Sequence, residues 1–429
     1  MKRVIALLSV LLLVFPAAGA EEEDDLLIEE IVENVVLDDE GEEVLLEETP
    51  SPAYVHISAG SFTPSWESSY PAREGEHSYW TMPMDITDEQ AVWEILMQPI
   101  TVVDTGKKSS ERVQTYLYRE PDESSLKIGV VTCESQGVRV LETLDNGWSL
   151  VECYSSSFHA AKVEAWNILV SGYIPTAYLK EVSPNPEIGF VVDKLTQRLY
   201  IFENGKLLST LLCSTGVARW NGSKYQPYNE TRSGEFLLMS KVGTLISDRL
   251  YCDMAIRFNS GDMIHEVPHV KNRDGSKNYS STESKLGTKS SHGCIRVQRD
   301  KTPEGINMVW IWNRLKSGSK AKFLIWEDWQ GRQLPVPDPD TPLYYNPSGG
   351  IYYHSSSFCY SAKNVTFVPF TYGELEEETY AHLSGCPFCA PPMRESAIDA
   401  VNENYALGGD HDELLTSLRE GYYEYLRNN

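Results

Sequence analysis

The apolar run from Ile5 to Phe15 is short for a membrane span, and no other segment of the 429-residue chain has the length for a transmembrane helix. No cysteine follows that first run to carry a lipid anchor. Lysine and arginine are absent from residues 21–48, which hold fifteen Asp and Glu. Like charges at that density repel, so no packed core is expected there. The formal net charge of −25 is therefore misleading about the rest of the chain. Residues 188–327 carry 21 Lys and Arg against 13 Asp and Glu. No nucleic-acid motif accompanies this basic surplus. The expected partner is an anionic polymer or peptide carboxylates, not nucleic acid.

What is present suggests β structure. Hydrophobic residues make up 41% and charged residues 23%, which are ordinary globular values. Twenty-four Tyr and ten Trp accompany many short apolar runs. Met1-Lys2-Arg3, the apolar run and Ala18-Gly19-Ala20 predict a secretory signal peptide over 1–20, with an uncleaved anchor as the alternative. The expected location is extracytoplasmic, with no stable membrane span after cleavage. Residues 21–111 are expected to be an acidic disordered tail and linker. A helix-like stretch interrupts it from Asp85 to about Leu96, with Asp85 or Thr87 as cap.

The chemistry concentrates in Ser291-His292-Gly293-Cys294-Ile295-Arg296. Gly293 lets the backbone turn or approach another atom closely. The N–H groups around Gly293 and Cys294 are placed to converge on one oxyanion. A thiol there becomes a nucleophile if a base or positive charge favours its thiolate. Asp262-Met263-Ile264-His265-Glu266 supplies a second histidine, 29 residues before Cys294, so the two meet only through the fold. Taken alone, a buried or disulfide-bonded Cys294 is the simpler reading.

This motif, with Lys285-Leu286-Gly287-Thr288-Lys289-Ser290 before it and His265 upstream, resembles the L,D-transpeptidase (YkuD-like) catalytic domain over residues 188–327. Cys213-Ser214-Thr215-Gly216 and Thr231-Arg232-Ser233-Gly234 resemble earlier pieces of that family. The resemblance implies that Cys294 is the nucleophile and His265 its base. Ser291, His292 and Gly293 would support the loop and oxyanion. Arg296 would meet a substrate carboxylate or a structural acid. The implied substrates are peptidoglycan stem peptides of the cell wall, joined through a thioester with no cofactor. Hydrolysis of the same stems, or wall binding without catalysis, are the alternatives. Three departures stand out: Arg296 where many members carry Asn, Arg232 where the family usually has Pro, and Asn272 to Ser276 as an inserted turn.

Flanking this stretch, residues 112–183 read as short strands separated by turns, which suggests a small barrel. Asn146-Gly147-Trp148 and Gly172-Tyr173-Ile174 resemble a bacterial SH3-like domain, a family that often targets enzymes to the wall. Tyr154 to Val170 reads as an insertion in it. Within the catalytic stretch, hairpins around Phe190 to Phe202, a helix from about Pro303 to Leu315 and a strand from Ala321 to Trp326 are expected. The fold class expected is thus mainly β and multidomain.

Prolines 335, 337, 339 and 342 mark a linker to residues 343–395, and 396–429 read as a helical tail with Asp410 or Asp412 as cap. His354, Cys359, Cys386 and Cys389 have the residue types of a structural Zn site, and their order resembles a small metal-binding module. In a secreted protein, disulfides are the competing reading. Of the eight cysteines, setting aside Cys294 and three metal ligands leaves four. Cys133 with Cys153, and Cys213 with Cys252, are then expected to pair.

Overall fold

Strands dominate the chain, and their burial explains their sequence. In a computed structural model, the residues described are 35–37, 43–45, 79–81, 86–107, 112–157, 163, 165–217, 219–220, 225–328, 334–359, 365–386, 389, 391–399, 402, 422, 424, 426 and 428. The expected signal peptide, most of the acidic tail and linker, and the proposed cap at Asp410 or Asp412 lie outside them. The chain divides into two units, Met1–His56 and Ile57–Asn429. In the first, Val35–Leu37 pairs antiparallel with Glu43–Leu45, where a disordered tail was expected. Both segments carry the β-branched and apolar residues that favour strands.

The second unit begins with α1 (Glu89–Met97). Its N-cap is Asp88, whose carboxylate accepts from the Ala91 N–H at 3.1 Å. Of the expected caps, Asp85 lies outside the described residues, and Thr87 gives way to Asp88, whose side chain reaches an N–H three residues on. Short strand β1 (Ile100–Val103) follows. Next come β2 (Gln114–Tyr118), β3 (Lys127–Thr132), β4 (Arg139–Thr143), β5 (Trp148–Ser156) and β6 (Trp166–Pro175), which form a sheet in the order β3-β2-β6-β5-β4. Strand β7 (Leu179–Val182) pairs with β1. Leu117, Val130, Val151 and Ile174 fill the core of this region, and Tyr422 from the far end of the chain joins them. Of the segment read as an insertion, the described ends lengthen the β5–β6 hairpin, with Tyr154 opposite Leu169 and Ser156 opposite Trp166, and residues 158–162 and 164 lie outside the described residues.

A nine-stranded sheet follows. Its strands are β8 (Ile188–Asp193), β9 (Arg198–Glu203), β10 (Lys206–Ser214), β11 (Gly234–Leu238), β12 (Lys241–Ser247), β13 (Leu250–Asn259), β14 (Asp262–Glu266), β15 (Ile295–Val297) and β16 (Ala321–Trp326). Their spatial order is β11-β16-β8-β9-β10-β15-β14-β13-β12. Every residue of β8 and β16 is buried, because both faces are covered. Ile188, Phe190 and Val192 face one cluster with Phe236, Phe258 and Phe323, while Val191 faces α1 through Val92 and Leu96. A strand covered on both sides reads as a continuous apolar run, as these do. Gly189 permits the close approach of α1: a Cβ there would lie 2.9 Å from Leu96 Cδ2. Each such buried aliphatic side chain contributes about 1.5–3 kcal/mol.

Helix α2 (Met308–Arg314) is shorter than the expected 303–315. Its cap is Asn307, and the residues before it close a turn in which Gly305 N–H donates to Thr302 O. Beyond lies a four-stranded sheet of β17 (Pro342–Tyr345), β18 (Tyr352–His354), β19 (Val368–Thr371) and β20 (Ser384–Gly385), ordered β19-β17-β18-β20. Among the described residues, its buried core is Leu343, Tyr353, Phe370, Tyr372, Leu375 and Leu383, with Tyr345 and Tyr380 packed against it. No helix among the described residues is long and apolar enough to cross a membrane.

Candidate active site and a Cys/His cluster

Strands β14 and β15 run parallel, with Ile264 opposite Ile295 and His265 opposite Arg296. Cys294 stands two residues before Arg296. One strand spacing across and two residues along put the Cα atoms of His265 and Cys294 about 8 Å apart. His265 is 2% exposed, and its Nδ1 lies 2.6 Å from the Glu266 carbonyl oxygen. A carbonyl only accepts, so Nδ1 carries the proton and Nε2 keeps its lone pair. Burial lowers the His265 pKa to about 4, against the Glu266 hydrogen bond, and Arg296 adds to the lowering. The imidazole is neutral at pH 7.

The Cys294 side chain is partly exposed at the surface, yet protein surrounds it on its other sides. Burial pushes its thiol up to about 12, and Asp262 pushes the same way. A backbone hydrogen bond from Met263 and the Arg296 charge oppose the rise. The resting pair is therefore a thiol beside a neutral imidazole.

The Cys294 loop is held from behind. Ser290 and Ser291 N–H both donate to Thr215 O, at 2.9 and 3.1 Å. The Ser291 hydroxyl donates to the Cys294 carbonyl and accepts the Gly293 N–H at 3.2 Å. That second bond engages the Gly293 N–H within the loop. The Cys294 N–H makes no hydrogen bond among the described residues. Gly293 has φ +119°, and a Cβ on it would meet Asp262 Oδ1 at 2.4 Å. Thr231 Oγ1 accepts from Gly216 N–H at 2.7 Å and donates to Gly293 O at 2.8 Å. A Cβ on Gly216 would sit 1.9 Å from Asn229 O. His292 is exposed on the loop, while Arg296 is buried and donates to Ser290 Oγ at 3.2 Å.

Behind Gly293 lies a buried polar layer whose role sequence reasoning missed. Arg232 Nη1 meets Asp262 Oδ2 at 3.2 Å and Glu230 O at 3.1 Å, and its Nη2 donates to Ser157 O. Burial raises Asp262 to about 6 despite Arg232. Lys194 Nζ lies 2.5 Å from Glu230 and 3.3 Å from Glu327. Burial would raise Asp328, but Lys289 and Lys194 hold it well below the usual carboxylate range. Three carboxylates converge there, Glu230, Glu327 and Asp328, with two ammonium groups already among them. The only advance signals were Asp262, three residues before His265, and Arg232 in place of the family's proline.

Residues 188–336 match the family model of the L,D-transpeptidase catalytic domain. No curated protein sequence matches the chain. Among solved structures, an L,D-transpeptidase from Stackebrandtia nassauensis shares 20% identity at a TM-score of 0.23, over 34% of this chain and 58% of that one. One from Xylanimonas cellulosilytica shares 18% at 0.23, over 33% of this chain and 60% of that one. One from Mycobacterium smegmatis shares 15% at 0.25, over 54% and 92%. The chain thus spans less than two thirds of the length of the first two.

Within the L,D-transpeptidase match, the inserted turn between His265 and Cys294 is anchored at both ends. Asn272–Ser276 closes a hairpin by Asn272 N–H to Ser276 O at 2.8 Å. Lys277 pairs with Asp253 at 2.6 Å, and Tyr279 OH donates to Glu266 Oε2 at 3.2 Å. His269 stacks on Tyr251, with ring centroids 5.4 Å apart. The insertion is thereby fastened to the residue that orients His265.

The expected disulfides do not form. Cys213 lies on β10 and Cys252 on β13, with β15 and β14 between them. Three strand spacings are about 14 Å, about twice what a disulfide spans. Cys133 and Cys153 lie in one apolar core as separate thiols. By contrast, His354, Cys359, Cys386 and Cys389 do come together: their ligand atoms all lie within 4.8 Å of one another.

Proposed function

We propose that the chain is an L,D-transpeptidase that joins peptidoglycan stem peptides through a thioester on Cys294. One observation carries the reading: a buried neutral His265, its Nδ1 committed to the Glu266 carbonyl, on the strand beside the Cys294 loop. The family match over 188–336 supports the substrate class.

A tetrapeptide stem is the acyl donor. The Cys294 sulfur attacks the carbonyl carbon of its third residue while the thiol proton passes to His265 Nε2. The Cys294 N–H donates to the oxyanion, a contact worth about 3–4 kcal/mol in comparable sites. Collapse forms the thioester and breaks the C–N bond, and the terminal D-amino acid departs with the proton from Nε2. The amine of a second stem then attacks the thioester carbon, gives its proton to Nε2 and releases Cys294, which regains it as a thiol.

The reaction is extracytoplasmic and associated with the wall. Residues 112–183 form an SH3-like module that contributes wall or substrate binding and no chemistry.

The test is mass spectrometry of the protein incubated with a tetrapeptide muropeptide. A cross-linked dimer is expected. Tripeptide alone would mean a hydrolase, and no change would mean a binding protein. Cys294→Ala should abolish the acyl-enzyme and His265→Ala should slow it severely. Release of the D-amino acid at the wild-type rate by Cys294→Ala would overturn the assignment.

A further inference from the structure

Strand β18 pairs in parallel with β20, Tyr353 opposite Gly385, and Cys386 N–H donates to Tyr353 O at 2.9 Å. This register places His354 and Cys386 side by side at the ends of neighbouring strands. Cys359 Sγ lies 3.7 Å from Cys386 Sγ, and Cys389 Sγ lies 3.6 Å from His354 Nδ1. A tetrahedral Zn²⁺ with Zn–S of about 2.3 Å and Zn–N of about 2.0–2.1 Å sets its ligands about 3.8 Å apart for S–S and about 3.5 Å for S–N. Both observed separations match that geometry. A disulfide would instead bring two sulfurs to about 2.05 Å and would give the imidazole no reason to face the third thiol.

We propose that His354, Cys359, Cys386 and Cys389 bind one structural Zn²⁺ that holds the C-terminal module together. Three sulfurs and one imidazole are the soft donor set that selects zinc over magnesium or calcium. Four protein ligands complete the coordination and leave no position for water, so the ion has no part in the chemistry at Cys294. The outer surroundings suit thiolates as well. Ser355 N–H points at Cys389 Sγ at 3.4 Å, and the Ser355 hydroxyl donates to Cys389 O at 2.8 Å. Such contacts orient a ligand and spread its charge. The ion would join the end of β18, the segment carrying Cys359 and the turn after β20. A four-stranded sheet whose strands are two to four residues long buries little core, so metal binding and folding of this module are coupled.

The experiment uses the full-length protein purified without chelator. Elemental analysis should find one zinc per chain, and Cys386→Ser should lower it towards zero. Cobalt substituted for zinc should show the visible absorption of a tetrahedral thiolate site. Should that variant fold poorly, alkylation of the wild-type protein decides. Zinc should protect Cys359, Cys386 and Cys389, and chelation should expose all three while leaving the rate at Cys294 unchanged. Absence of zinc together with a mapped disulfide from Cys359 to Cys386 or Cys389 would overturn the proposal. So would a full zinc content in Cys386→Ser.

Discussion

Arg232 and Asp262 form a buried ion pair, Nη1 to Oδ2 at 3.2 Å, directly behind the Cys294 loop. Neither side chain is more than 5% exposed. Removing one partner of such a pair leaves the other charge uncompensated, which costs about 3–5 kcal/mol. Arg232→Met should therefore lower the unfolding free energy by about that much, read from urea denaturation. Arg232→Met combined with Asp262→Leu should recover part of the loss. A single Arg232→Met variant as stable as the wild type would show that the pair contributes nothing.

The same arginine reaches Ser157, which ties the preceding strands to the scaffold behind the Cys294 loop. Gly137 N–H donates to Glu235 O and Leu237 N–H to Ser135 O, both at 2.8 Å. Asn167 bonds to Glu327 at 2.8 Å and accepts the Ser233 N–H at 2.7 Å. Lys322, fully buried, bonds to Ile95 O at 2.9 Å and pairs with Glu235 at 2.7 Å. A fragment of residues 184–330 would expose these partners. It should melt well below the intact chain and lose turnover with its fold. A fragment that melts with the full-length protein and keeps its turnover would restore the picture of an independent catalytic domain.

His265 gives stability a pH dependence. The native state resists protonating it until about pH 4, whereas the unfolded chain takes the proton near its ordinary 6.5. Its contribution is complete above about pH 6.5 and is lost as pH falls towards 4, amounting to about 3 kcal/mol. Asp262, raised to about 6, protonates first in the native state and acts in the opposite sense. The comparison that isolates His265 is wild type against His265→Gln. Their difference in unfolding free energy should shrink by about 3 kcal/mol between pH 7 and pH 4. Parallel curves would contradict a depressed His265 pKa.

Gly293 tolerates no side chain, by conformation and by space. Its φ is +119°, and a Cβ would approach Asp262 Oδ1 to 2.4 Å. Gly293→Ala should shift the Cys294 loop and slow acylation by about a hundredfold, the scale expected for a misplacement near 1 Å. Global stability should fall by about 1–3 kcal/mol. Wild-type acylation by the variant, followed by intact-protein mass spectrometry, would show that the loop yields.

What sequence alone determined is local chemistry and local pattern. Ser-His-Gly-Cys carries its meaning in four adjacent residues, and the strand at Ala321–Trp326 is legible because burial on both faces demands an unbroken apolar run. The positions of His354, Cys359, Cys386 and Cys389 were legible as donor types at recognisable spacing. Whether they meet depended on the β18–β20 register. Tertiary structure also decided the cysteine pairing. Counting thiols linked Cys213 to Cys252, but two intervening strands separate them, and strand order in a sheet is set by contacts far apart in sequence. Arg232 shows the same limit. Its partners, Ser157 and Asp262, lie 75 residues before it and 30 after it, so no window of sequence contains the layer that supports Gly293.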